Sequence, residues 1–81
     1  MKVKYMAEVD AKETNTQGCH AYLVALCCGG LIEDPEIHYH NYQIIRADSE
    51  EEAVKKYNEI NKCSYFYGDI LGRITDLEDT K

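Results

Sequence analysis

Apolar and polar positions alternate through "KVKYMAEVD". Val3, Tyr5, Ala7 and Val9 fall on one side, and Lys2, Lys4, Met6, Glu8 and Asp10 on the other. A period of two with one polar side predicts a half-exposed strand over residues 2–10. "AKETNTQG" is polar throughout, with Asn15 and Gly18 suited to a turn. "CHAYLVALCC" drops the alternation and is apolar on both sides, as an interior strand is. The run also fits a helix segment, which Gly29-Gly30 ends after about ten residues. "GGLIEDPE" follows as a connection in which Pro35 fixes a turn. "IHYHNYQIIRA", rich in Tyr and Ile, predicts a third strand.

The period then changes. In "DSEEEAVKKYNEINK", Ser49 is placed to cap a helix and Glu52, three residues on, to complete a capping box. Glu50, Glu51 and Glu52 occupy the first turn, where the helix dipole favours negative charge. Ala53, Val54, Tyr57 and Ile60 form the apolar stripe, and Glu51–Lys55 and Glu52–Lys56 are spaced to pair. "CSYFYGDILGRI" predicts a last strand over 63–74, with Gly68 and Gly72 marking a bulge or bend. "TDLEDTK", residues 75–81, is expected to fray as an acidic tail. The expected fold is α+β: one domain over residues 1–81, a four-stranded, mainly antiparallel sheet in the order β-β-β-α-β, and one helix packed on one face. The simplest closure is a three-stranded meander, with a right-handed crossover placing strand four parallel to strand one.

Composition narrows the functions. Eighty-one residues make one domain, and a chain this short buries only roughly 60–65% of the surface its unfolded form exposes. The net charge of −6 is evenly spread, with three bases against six carboxylates in residues 1–40 and six against nine in 41–81. Such a chain is repelled by nucleic acid and by anionic membranes. It suits a basic protein surface, including that of a host protein that handles nucleic acid. The longest apolar run, Ala21–Cys28, is far shorter than the ~20 residues of a membrane span. Nothing in the alternating N-terminus directs export, so the cytoplasm is the expected location and the four cysteines are expected as thiols.

The candidate chemistry is sparse. A structural zinc site needs cysteines two to four residues apart; here Cys27 and Cys28 are adjacent and point to opposite faces of a strand. They read as small core residues. His38 and His40 share a strand face, and with His20 or Cys19 from a neighbouring strand three metal ligands could converge; otherwise they lie on a solvated face. Adjacent Cys19 and His20 lack the geometry of an activated thiolate. No phosphate loop or metalloprotease motif occurs, so neither an enzyme nor a cofactor is expected. Contact residues are more evident. Glu33, Asp34 and Glu36 form an acidic loop, and "SYFYGD" brings Tyr65, Tyr67 and Asp69 together, with Phe66 turned to the core. Tyrosines beside carboxylates suit an Arg-rich partner.

"YQIIRADSEEEAVKKYNEI", residues 42–60, a strand running through Ala-Asp-Ser-Glu-Glu-Glu-Ala into an amphipathic helix, resembles a pattern in small accessory proteins of phages and other mobile elements. Small acidic proteins of that kind include anti-CRISPR inhibitors, some of which imitate nucleic acid on a basic groove. The resemblance implies a phage-type inhibitor of a host defence protein, active in the host cytoplasm, and assigns no residue a role. Two other readings stand beside it: a metal- or ligand-binding module using His38 and His40, and a structural domain forming a homodimer or larger oligomer.

Overall fold

The computed structural model describes residues 2–5, 7–30, 32–33 and 35–78. Six strands and one helix follow in the order β1 (Lys2–Tyr5), β2 (Ala7–Asp10), β3 (Lys12–Glu13), β4 (His20–Gly29), β5 (Ile37–Ala47), α1 (Glu50–Ile60) and β6 (Gly68–Arg73), and a 3-10 turn spans Thr75–Leu77. The chain is α+β with one helix, as its periodicities indicate.

The N-terminal segment departs from the expected single strand. The chain reverses between Tyr5 and Ala7, and β1 pairs antiparallel with β2 as a separate two-stranded sheet. Charge explains the reversal. The register sets Lys2 opposite Asp10 and Lys4 opposite Glu8, with Val3 opposite Val9, so every polar pair joins opposite charges, a favoured cross-strand arrangement.

The second sheet has four strands, but in the order β3-β5-β4-β6. β4 pairs antiparallel with β5 and with β6. β6 therefore lies beside β4, and the expected parallel pairing with the first strand does not form. The physical reason is the apolar run in β4, which is hidden best at the centre of a sheet. The short β3, within the segment read as a turn, runs parallel to β5 with Lys12 opposite Gln43.

Both faces of β4 are covered. On one face Tyr22, Val24, Ile45 and Ala47 pack under Ala53 and Tyr57 of α1. On the other, Ala21, Leu23 and Ile44 pack against Val3 and Ala11, with Val9, Leu71, Ile74 and Leu77 around them. The sheet is thus sandwiched between a helix and a hairpin, where a helix on one face alone was expected.

α1 begins as the sequence indicates. The Ser49 hydroxyl accepts from the Glu52 amide at 3.2 Å, and Glu52 pairs with Lys56 at 3.1 Å. The return bond of the capping box is displaced by one residue, since the Glu52 carboxylate accepts from the Asp48 amide rather than that of Ser49. Only Ala53 and Tyr57 of the expected stripe are buried; Val54 is half-buried and Ile60 is exposed. The tail expected to fray over 75–81 is fastened as far as Glu78, while residues 79–81 lie outside those described. The Glu78 carboxylate accepts from the Ala21 amide at 3.1 Å and from Arg73 Nε at 2.8 Å, and meets His20 Nδ1 at 3.2 Å.

Two irregularities shape the sheet. Register shifts between Val24 and Leu26 against β5, where Asn41 takes a left-handed φ of 57°, a conformation asparagine tolerates. It shifts again between Leu23 and Val24 against β6, beside Gly72, the position read as a bulge. Beyond Asn41 the β4–β5 hairpin leaves the core. Leu26–Gly29 are half-buried, Ile37–Asn41 are exposed apart from half-buried Tyr39, and the molecule is elongated at 47 × 26 × 17 Å.

Candidate contact surface

The free end of the β4–β5 hairpin is built by three segments. The connection after Gly29 carries Ile32, Glu33 and Glu36, all exposed. Gly29 and Gly30 turn the chain with φ of 96° and 75°, and a Cβ at Gly29 would sit 1.9 Å from the Glu36 carbonyl oxygen, so glycine is required there. β5 begins with Ile37, His38 and His40, and the Glu36 carboxylate lies 3.7 Å from His38 Nε2. The third segment is the approach to β6, tied in by the Cys27 amide, which donates to the Tyr67 carbonyl at 3.2 Å. Tyr67 is thereby placed three residues from the start of the acidic connection, about 10 Å along a strand.

Of the expected contact residues, Glu33 and Glu36 are exposed on the connection itself. Tyr65 and Tyr67, 76% and 54% exposed, lie on the approach to β6, Tyr65 beside Leu26 and Asn41. Asp34 lies outside the described residues. Asp69 pairs with Ala25, further along β6, and lines a different surface with Glu50 and Glu51. Residues 63–67 are not strand, so Phe66 is not sent into the core by alternation; it is half-buried, with the Tyr65 ring edge-on at 4.7 Å. Ile32 and Ile37 were missed. Ile32 is fully exposed and Ile37 is 58% exposed, and only their position on a hairpin that outruns its helix distinguishes them from core residues.

The histidines divide between the two ends of the sheet. His38 and His40 share a face, their rings 6.5 Å apart, and His38 lies opposite Cys28. His20 is opposite Ala47, eight residues back along β4, roughly 26 Å away. Neither His20 nor Cys19 can join His38 and His40, and no three His, Cys, Asp or Glu residues among those described are placed to hold a metal ion. The thiols are free. Cys27 and Cys28 are half-buried rather than core, because the bulge carries the hairpin past the helix. Burial pushes the Cys27 thiol up, helped by the charges of Asp69 and Cys28. Cys19 is exposed, and its hydrogen bond to the Asp48 carboxylate likewise pushes its thiol up.

Behind the hairpin lies an amide cluster that the pattern of the chain did not signal. Gln43 is 4% exposed. Its Nε2 donates to Asn61 Oδ1 at 2.9 Å and to Asn41 Oδ1 at 3.2 Å, while its Oε1 accepts from Thr14 at 2.9 Å and from Asn61 Nδ2 at 3.3 Å. The Tyr57 hydroxyl donates to the Asn41 carbonyl at 2.9 Å. Burial, reinforced by Cys63, pushes this phenol up to about 12, against the opposing hydrogen bond with Asn41. A cavity of 270 Å³ opens beside it, lined by Leu26, Asn41, Tyr57, Asn61, Cys63 and Phe66 among others. Both amide protons of Gln43 and both of Asn61 are already donated. The cluster holds the bulge to the helix terminus and has little capacity left for a ligand.

No helix among the described residues is long and apolar enough to cross a membrane. Comparison with protein-family models, curated proteins and solved structures finds no match.

Proposed function

We propose that this chain is a non-enzymatic protein-binding module whose hairpin end docks on a basic surface, in the manner of a phage-type inhibitor that occupies a nucleic-acid-binding face of a host protein. One observation carries the reading. Of the five large apolar side chains that are exposed among the described residues, four flank the hairpin: Ile32 and Ile37 beside Glu33 and Glu36, and Tyr65 and Tyr67 on the approach to β6 that the Cys27 amide ties to β4. Aromatic and aliphatic anchors rimmed by charge are the composition of an energetic contact centre. Acidic groups at the rim steer a basic partner and select against other partners. Asp34, within the same acidic connection, belongs to the proposed rim by sequence, whereas Asp69, further along β6, lies outside it.

The test uses the partner captured by affinity purification on the full chain. Association should slow as salt rises, because charges on the rim are screened beyond about 8 Å at physiological ionic strength. Glu33→Lys with Glu36→Lys should reduce the association rate, and Tyr65→Ala with Tyr67→Ala should raise the dissociation rate, both with an unchanged circular dichroism spectrum. Salt-independent binding that tolerates all four substitutions overturns the reading.

A further inference from the structure

β6 ends the sheet, and among the described residues it pairs with β4 alone. Its outer edge follows from the ladder. Tyr67 turns its carbonyl to Cys27 of β4, so by period two Gly68 and Ile70 turn their backbone groups outward. The Gly68 amide is satisfied by Asn58 Oδ1 at 2.7 Å. The N–H and C=O of Ile70 face away from the sheet.

This edge is the floor of a groove. The first turns of α1 stand over it, and a 550 Å³ cleft runs between them, lined by Val54, Ile70 and Leu71 and by the carboxylates of Glu50, Glu51 and Asp69. No cation lines it. Gly72 sits in the cleft without a side chain to obstruct an approaching backbone. Proline and lysine, which proteins place on edge strands to discourage pairing, are absent from β6.

We propose that this groove takes an extended peptide segment in which apolar residues alternate with Lys or Arg, added as a further strand beside β6. The backbone of one incoming residue exchanges hydrogen bonds with Ile70. Alternate side chains then point to opposite faces of the extended sheet. Apolar ones, on the helix side, rest on Val54 and Ile70, with Glu50 and Glu51 at the rim, and basic ones, on the other side, reach Asp69. Acidic peptides are repelled, and nucleic acid is excluded by the same charge. The surface is separate from the hairpin end and stands whether or not that end binds a partner.

The experiment titrates the full chain with a fluorescein-labelled KVRVKVR peptide, read by anisotropy and by amide resonances. The peptide should bind, shift the resonances of residues 69–72 and slow exchange of the Ile70 amide. N-methylation of its three central residues, which preserves charge and blocks both edges, should weaken binding by about tenfold or more. An EVEVEVE peptide should not bind. Glu50→Gln, Glu51→Gln and Asp69→Asn together should weaken KVRVKVR and reduce its salt dependence, while Glu33→Lys and Tyr65→Ala leave it unchanged. Absence of KVRVKVR binding at millimolar concentration, equal binding of the N-methylated peptide, or shifts confined to the hairpin end would each overturn the proposal.

Discussion

Tyr57 is fully buried, and its ring touches the backbone of β6 where no side chain intervenes. A Cβ built on Gly68 would lie 2.5 Å from Tyr57 Cδ1 and 3.0 Å from Cε1. Because the phenol is also anchored to the Asn41 carbonyl, the ring cannot swing aside without giving up that bond. Gly68→Ala should therefore destabilise the protein by about 1–3 kcal/mol through overpacking, measured by urea denaturation. Combined with Tyr57→Leu, which vacates the contested space, it should cost less than the sum of the two single changes. Additive losses would place the strain elsewhere. The glycine was visible in the chain as a candidate bend, but its reason was not, because the contact joins residues 57 and 68 only after α1 has packed.

At the level of elements, α1 was the most legible. Its cap, its acidic first turn and the Glu52–Lys56 pair are local features, decided within a few residues. The interior position of β4 was legible for a similar reason, since an apolar run on both faces leaves few places for a strand. The β1–β2 hairpin was written in the charges rather than in the apolar positions. Alternation alone cannot separate one long strand from two short ones folded together, whereas two lysines followed by two carboxylates in mirror order favour the fold-back. Lys4→Glu should set like charges opposite at Glu8 and cost roughly 0.2–1 kcal/mol. Adding Glu8→Lys should recover most of that loss. A double variant no more stable than the single one would show that the pair does not contribute. The placement of β6 was not legible, because it depends on which edge of β4 receives the strand after the helix.

Across the whole molecule, acid should loosen the end opposite the hairpin. Partial burial pushes the Glu78 carboxyl up, but the Ala21 amide, Arg73 and His20 outweigh it and hold it below the usual range. The amide and thiol of Cys19 do the same for Asp48. Both folded values are depressed, so the stabilisation is complete above the unfolded values and is lost as pH falls through the folded ones. The melting temperature should fall between about pH 5 and about pH 3, and Glu78→Gln should lower it at neutral pH and flatten its acid slope. An acid slope unchanged in Glu78→Gln would remove this carboxylate from the account. The central position of β4 also has a consequence for synthesis. The chain makes β4 and β5 early, and both can pair at once, but the other edge of β4 has no strand to cover it until α1 and the segment after it have emerged. During that interval Leu23 and Val24, fully buried in the finished fold, border an open edge, a setting that favours aggregation. A chain stopped before Gly68 should therefore precipitate on expression, and supplying residues 63–78 as a separate polypeptide should return part of it to solution. A soluble, monomeric truncation would show that β4 tolerates the wait.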